Sequence, residues 1–90
     1  MNKSLTDAET RLKRLRYRSW HRGCKETDLV LGRFADEKLA GLSPEILAVY
    51  ERLLDENDAD IWNWVVGKEA PAEYVELLTL LKKEGLGIGD

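Results

Sequence analysis

The sequence specifies an all-α fold, a compact five-helix bundle in a single domain. Three observations predict it. Apolar residues recur three and four positions apart through most of the chain. Helix-start signals stand in front of those runs. No stretch alternates β-branched residues or carries an Asn-Gly turn, so nothing reads as a strand or hairpin. Ninety residues suit one domain, and a chain this short buries only about 60 to 65% of its unfolded surface, which leaves a modest core and no large enclosed active site.

The elements follow in order. Thr6 with Glu9 three residues later has the form of a capping box, and Leu5, Ala8, Leu12, Leu15 and Ser19 share one side, which predicts a first helix over 7–21. Gly23 can take the left-handed conformation that stops a helix. Leu29, Val30, Leu31, Phe34 and Ala35 crowd more than one face of a second helix over 25–38, so that helix is expected at the centre, packed on two sides. In "GLSPEILAVYERLLDEND" Ser43 is the cap, Pro44 the first helical residue, and Ile46, Val49, Tyr50, Leu53 and Leu54 one apolar stripe. Asp58 is expected to cap a short fourth helix bearing Ile61, Trp62, Trp64, Val65 and Val66, ended by Gly67. Pro71 opens the fifth, whose inner stripe is Tyr74, Leu77, Leu78 and Leu81, flanked by Val75 and Leu80. The helical domain is expected to span residues 1–84, with 85–90 a flexible C-terminal tail.

Composition narrows the function classes. At 43% hydrophobic and 34% charged residues the chain is too apolar to be disordered. No apolar stretch approaches the roughly 18 to 20 residues of a membrane span. Asp7 and Glu9 interrupt the basic N-terminal segment, which is unlike a transit peptide, and no apolar core precedes a cleavage site, so a cytoplasmic, bacterial-type chain without a leader is expected. Cys24 alone forms no internal disulfide, and one Cys with one His makes no structural zinc site. The net charge of −3 hides an uneven distribution: residues 1–25 hold eight Lys or Arg against two acids, and the remaining residues six against fifteen. Such a split favours oriented encounter with a charged partner. The basic stripe Arg11, Lys13, Arg14, Arg16 and Arg18 reads as a solvated helix face. Nucleic acid is not expected as a partner, because the acidic remainder would repel phosphate and no reading motif is present.

The junction of the first two helices, "HRGCKETD", is the most specific local feature. Arg22 and Glu26 each put charge where the local helix dipole favours it, and Gly23 lets the chain turn. That accounts for the residues structurally. The functional reading is a tight corner that holds a guanidinium and a carboxylate side by side on the surface, able to recognise a matching pair on a protein. His21 reads as a partly exposed helix-end residue or as a contact whose charge tunes docking near neutral pH. Cys24 has no resolving partner in the chain. Trp64 and Ile61 are expected in the core, while Trp20 and Trp62 divide evenly between core and interface anchor.

"HRGCKETDLVLGRF" resembles the conserved stretch of the SdhE family, small assembly factors for the flavoprotein subunit of succinate dehydrogenase. The family's Arg-Gly-x-x-Glu hallmark is matched by Arg22, Gly23 and Glu26, and its Asp-x-Asp-Leu/Ile-aromatic-x-Trp block by "DADIWNW", Asp58 to Trp64. The resemblance runs from about residue 10 to 81. His21 stands where many bacterial relatives have a second Arg, and Cys24 where Met is common. The resemblance implies a five-helix protein without an active site, which binds the flavoprotein subunit of succinate dehydrogenase or fumarate reductase and promotes covalent attachment of FAD. The resemblance further implies that the flavin drives the chemistry itself, while the factor holds its client in the reactive arrangement. The implied partner-binding residues are Arg22, Gly23 and Glu26, with His21, Lys25 and Asp28 beside them. No cofactor of its own is implied, since the FAD belongs to the partner, and a monomer is expected when the protein is free.

Two other classes are weaker. An antitoxin-like regulatory binding protein fits the same small helical scaffold, and some relatives carry that label. A free-standing enzyme is disfavoured by the inventory of one His, one thiol and no Gly-rich phosphate loop.

Overall fold

The computed structural model describes residues 6–85, and among these the regular structure is entirely helical. Helix α1 is Asp7–Trp20, α2 Lys25–Lys38, α3 Pro44–Leu53, α4 Asp58–Val65 and α5 Val75–Leu80. Short 3-10 turns at Leu39–Gly41 and Ala72–Tyr74 lead out of α2 and into α5, and a π-helical turn, Leu81–Gly85, extends α5. Of the expected tail over 85–90, Gly85 closes the π-helical turn, and residues 86–90, like Leu5, lie outside the described residues.

The start signals act as local chemistry requires. Thr6 Oγ1 accepts from the Glu9 amide at 3.1 Å and the Glu9 carboxylate accepts from the Thr6 amide at 2.9 Å, a reciprocal capping box. Ser43 caps α3 by accepting from the Ile46 amide, with Pro44 in the first turn. The fourth helix departs from expectation. Asn57 is its cap, accepting from the Asp60 amide at 2.9 Å, and Asp58 is the first helical residue, its carboxylate turned to another task.

Helix α2 is central, as the breadth of its apolar surface implies. Val30, Leu31, Phe34 and Ala35 are all buried, and α1, α4 and the π-helical turn pack around it. Leu29 is the exception, 51% exposed. The core is completed by Leu15 of α1, Tyr50 and Leu53 of α3, Ile61 and Val65 of α4, and Tyr74, Leu77, Leu78 and Leu81 of the C-terminal segment. Trp62 and Trp64 are only half-buried, packed against that core from its edge.

One polar knot runs through the apolar centre. Ser19 Oγ lies 2.7 Å from the Leu15 carbonyl oxygen and 2.6 Å from the Tyr50 hydroxyl, which donates to the Leu31 carbonyl at 3.2 Å. Tyr50 thereby ties α3 to α1 and α2 at once. Its burial pushes the phenol up to about 12, against the lowering effect of the Ser19 hydrogen bond.

A row of ion pairs fastens α1 across the bundle. Arg11 meets Glu51 at 2.6 Å and Arg18 meets Asp55 at 2.8 Å, and Arg22 continues the same face one turn further. The stripe expected to be a solvated basic face is therefore partly spent inside the molecule. Within that stripe Lys13 and Arg14 remain exposed.

Candidate functional site

The elbow between α1 and α2 is built by its backbone. His21 ends α1, and Gly23 turns the chain at φ +95°, a conformation that side-chain-bearing residues rarely adopt. Cys24 is then the extended cap of α2 and offers it no side-chain hydrogen bond. Closure comes from elsewhere: Asp28 Oδ1 accepts from the Arg22 amide at 2.7 Å, and Thr27 Oγ1 donates to the Cys24 carbonyl at 3.2 Å.

Glu26 stands free on this elbow, in the first turn of α2. Its own backbone N–H and the Cys24 thiol, whose sulfur is 3.4 Å from Oε1, hold its carboxyl below the usual carboxylate range. Glu26 therefore presents a negative charge at neutral pH. Lys25 and His21 are exposed beside it, and the His21 ring stacks on Tyr17 with centroids 4.0 Å apart. A Cβ built on Gly23 meets nothing within 4 Å, so the approach to the turn is open.

Arg22 does not accompany Glu26 outward, which corrects the expectation of a guanidinium and a carboxylate displayed side by side. Its side chain is only 11% exposed. Nε donates to Asp58 Oδ1 at 2.6 Å, Nη1 to the Leu54 carbonyl at 2.8 Å and Nη2 to the Glu56 carbonyl at 2.6 Å. Leu54 caps the end of α3 and Glu56 lies in the connection to α4, and the planar fork supplies donors to both carbonyls. Asp28, expected as a contact residue, is half-buried and spends one oxygen on the Arg22 amide.

Beside the turn lies an open depression of about 550 Å³ lined by Trp20, Gly23, Lys25, Asp28 and Leu29. Its lining is mostly apolar, and Leu29 within it is 51% exposed. The floor depends on a residue that sequence reading passed over. Gly32, in the middle of α2, lets the Trp20 ring lie against the helix backbone: a Cβ there would come within 2.2 Å of the indole. Trp20 Nε1 donates to Asp36 at 3.2 Å and fixes the ring's direction. The available signal was a glycine inside a helix, which costs about 1 kcal/mol against Ala and calls for a packing reason. Thr27, 1% exposed, was the other omission.

The elbow thus offers one fixed anion, a cation and an apolar hollow on a stiff turn, which is equipment for recognition. Among the described residues no group of His, Cys, Asp and Glu is arranged to hold a metal ion, and no helix is long and apolar enough to cross a membrane.

Comparison with known proteins gives the site a context. Residues 13–84 match the family model described as flavinator of succinate dehydrogenase. The chain is 45% identical over 73 residues to succinate dehydrogenase assembly factor 2, mitochondrial, of Aspergillus terreus, an alignment covering 81% of this chain and 24% of that protein. It is 40% identical over 75 residues to the Schizosaccharomyces pombe protein of the same name, covering 82% and 54%, and 38% identical over 84 residues to that of Dictyostelium discoideum, covering 91% and 60%. The chain thus spans between about a quarter and three fifths of the length of these relatives. Their names place them in mitochondria, which overturns the cytoplasmic, bacterial-type location expected from the sequence. That expectation rested on the character of the first residues, and a chain matching part of longer relatives says nothing there about a leader.

Proposed function

This chain belongs to the family described as flavinator of succinate dehydrogenase, and from that premise we propose that it is an assembly factor that binds the flavoprotein subunit of succinate dehydrogenase and promotes covalent attachment of FAD to it. Fumarate reductase, whose flavoprotein presents the same attachment problem, is a second client in this reading. The protein contributes no catalytic side chain and no cofactor of its own. It works as a monomer that holds its client in the arrangement where the attaching residue meets the flavin.

The observation that carries the reading is the match over residues 13–84, which contains the whole elbow. The elbow's form supports it as the docking surface. A larger folded client can approach an open glycine turn closely, set a donor against the ionised Glu26, and cover the hollow between Trp20 and Leu29. Excluding water from that hollow strengthens the charged contact at its edge. His21 and Lys25 lie at the rim, where charges guide encounter more than they hold the complex.

The test is covalent flavin fluorescence of the denatured flavoprotein subunit, measured after incubation with FAD with and without this chain. The chain is expected to raise it severalfold. Gly23→Arg, whose side chain would project into the open approach, and Glu26→Ala, which removes the anion, are expected to lower client affinity by calorimetry at least tenfold while far-ultraviolet circular dichroism stays helical. Undiminished affinity in both variants moves the docking surface elsewhere. Flavin attachment that never responds to the wild-type chain overturns the function.

A further inference from the structure

Arg22 and Asp58 stand 36 residues apart, in the two most distinctive blocks of the sequence, and meet at 2.6 Å. We infer that they form one positioning pair, in which Asp58 sets the geometry of the elbow through Arg22 and Thr27 and neither Arg22 nor Asp58 touches the client. The inference rests on the elbow being the docking surface proposed above.

A single oxygen carries the geometry. Asp58 Oδ1 accepts from Arg22 Nε and shares with the Cys24 carbonyl the single Thr27 hydroxyl proton, whose oxygen is 3.2 Å from each. Arg22 immediately precedes Gly23, and Thr27 immediately follows Glu26. The four residues that make the turn and carry the anion are therefore tied at both ends to one carboxylate, which stands on the first residue of a different helix. The second oxygen-based closure, Asp28 to the Arg22 amide, works on the same segment from within α2. Arg22's remaining nitrogens are committed to the Leu54 and Glu56 carbonyls, so swinging the guanidinium toward a client would strand two backbone acceptors and a half-buried carboxylate. Gly23 needs this support. With an open, positive-φ turn and no side-chain cap on α2, the turn's own hold on the Glu26 carboxylate is the Cys24 thiol, a weak donor 3.4 Å away. Rigidity set in advance lowers the ordering cost of binding, and the pair supplies it.

The experiment uses the full chain and the flavoprotein subunit, with two readouts: client affinity by calorimetry, and hydrogen exchange of the amides of residues 22–28. Asp58→Ala, with Asp58→Asn as the milder variant should the first unfold, is expected to speed exchange in that segment at least tenfold and to weaken client binding at least tenfold. Glu26→Ala is expected to weaken binding without changing the exchange. Val65→Ala, a core truncation in the same helix, is expected to lower global stability while leaving both readouts for the elbow near wild type. Because Asp58 acts on the turn through Arg22 as well as through Thr27, Arg22→Ala is expected to weaken binding too, and the double variant by less than the product of the two single losses. Unchanged exchange in the Asp58 variants overturns the pair. So does faster exchange with intact affinity while Glu26→Ala still loses binding, or an Arg22→Ala loss that multiplies with the Asp58→Ala loss, which would make Arg22 a contact residue. Wild-type affinity in both Glu26→Ala and Gly23→Arg instead removes the docking surface itself, and with it the client-binding role of the pair, while the exchange readout still reports separately whether Asp58 pins the turn.

Discussion

Single residues here answer to their surroundings more than to their chemical type. Arg22 and Arg14 are the same side chain a short distance apart, yet one is clamped by three acceptors and the other is exposed. The same holds for Tyr50, a phenol in the middle of the core. Its folded value of about 12 lies above the ordinary 10, so the unfolded chain ionises first as pH rises. Tyr50's contribution is then complete below pH 10, falls by about 1.4 kcal/mol per pH unit between about 10 and 12, and is lost above that. Urea unfolding across this window is expected to show the slope, and Tyr50→Phe to reduce it by the Tyr50 share. The same substitution is expected to cost about 0.5 to 1.5 kcal/mol at neutral pH through the hydrogen bonds lost to Ser19 and Leu31. Burial and donation to Glu56 raise the Tyr74 phenol as well, so its share of the slope persists in the variant; a slope unchanged by the substitution would count against Tyr50.

Elements obey their local signals wherever nothing distant competes. Thr6 with Glu9, and Ser43 with Pro44, start helices where sequence rules say they should, because a cap needs only its own first turn. The cap of α4 is Asn57 and not the expected Asp58, whose carboxylate is taken by Arg22 and Thr27. Leu29 was expected inside with its apolar neighbours but faces the hollow, since α1 covers only part of that side of α2. Helix α2 also carries the contact that shapes the hollow's floor, between Gly32 and Trp20. Gly32→Ala is expected to displace the indole, because the new methyl lies within 2.2 Å of it. The cost is about 1 to 3 kcal/mol of overpacking, reduced by up to about 1 kcal/mol from Ala's better helix propensity. Tryptophan emission shifted to the red with a lowered denaturation midpoint would show it. A stabilised variant with unchanged emission would mean that the ring moves aside freely.

At the scale of the whole molecule, the uneven charge along the sequence becomes an internal fastening. Arg11, Arg18 and Arg22 of the basic N-terminal part meet Glu51, Asp55 and Asp58 of the acidic remainder, so a split that suggested long-range attraction to a partner is partly cancelled within the fold. The two outer pairs are half-exposed and worth about 0.2 to 1 kcal/mol each. Raising salt from about 0.05 M toward 1 M shortens the screening length to about 3 Å and is expected to lower stability by no more than about 2 kcal/mol in all, read from urea midpoints. Stability that climbs with salt would show that repulsion among the excess acids outweighs the pairs. By itself the sequence determined the all-helical class, the extents of α1 and α2, the start of α3, most core positions and the glycine turn with Glu26 after it, because spacing, capping and backbone freedom are properties of neighbouring residues. Only the tertiary structure decided which way Arg22 points, that Asp58 secures both ends of the elbow, and that Gly32 seats Trp20. Each of those depends on groups far apart in the chain, and packing alone brings them within reach of one another.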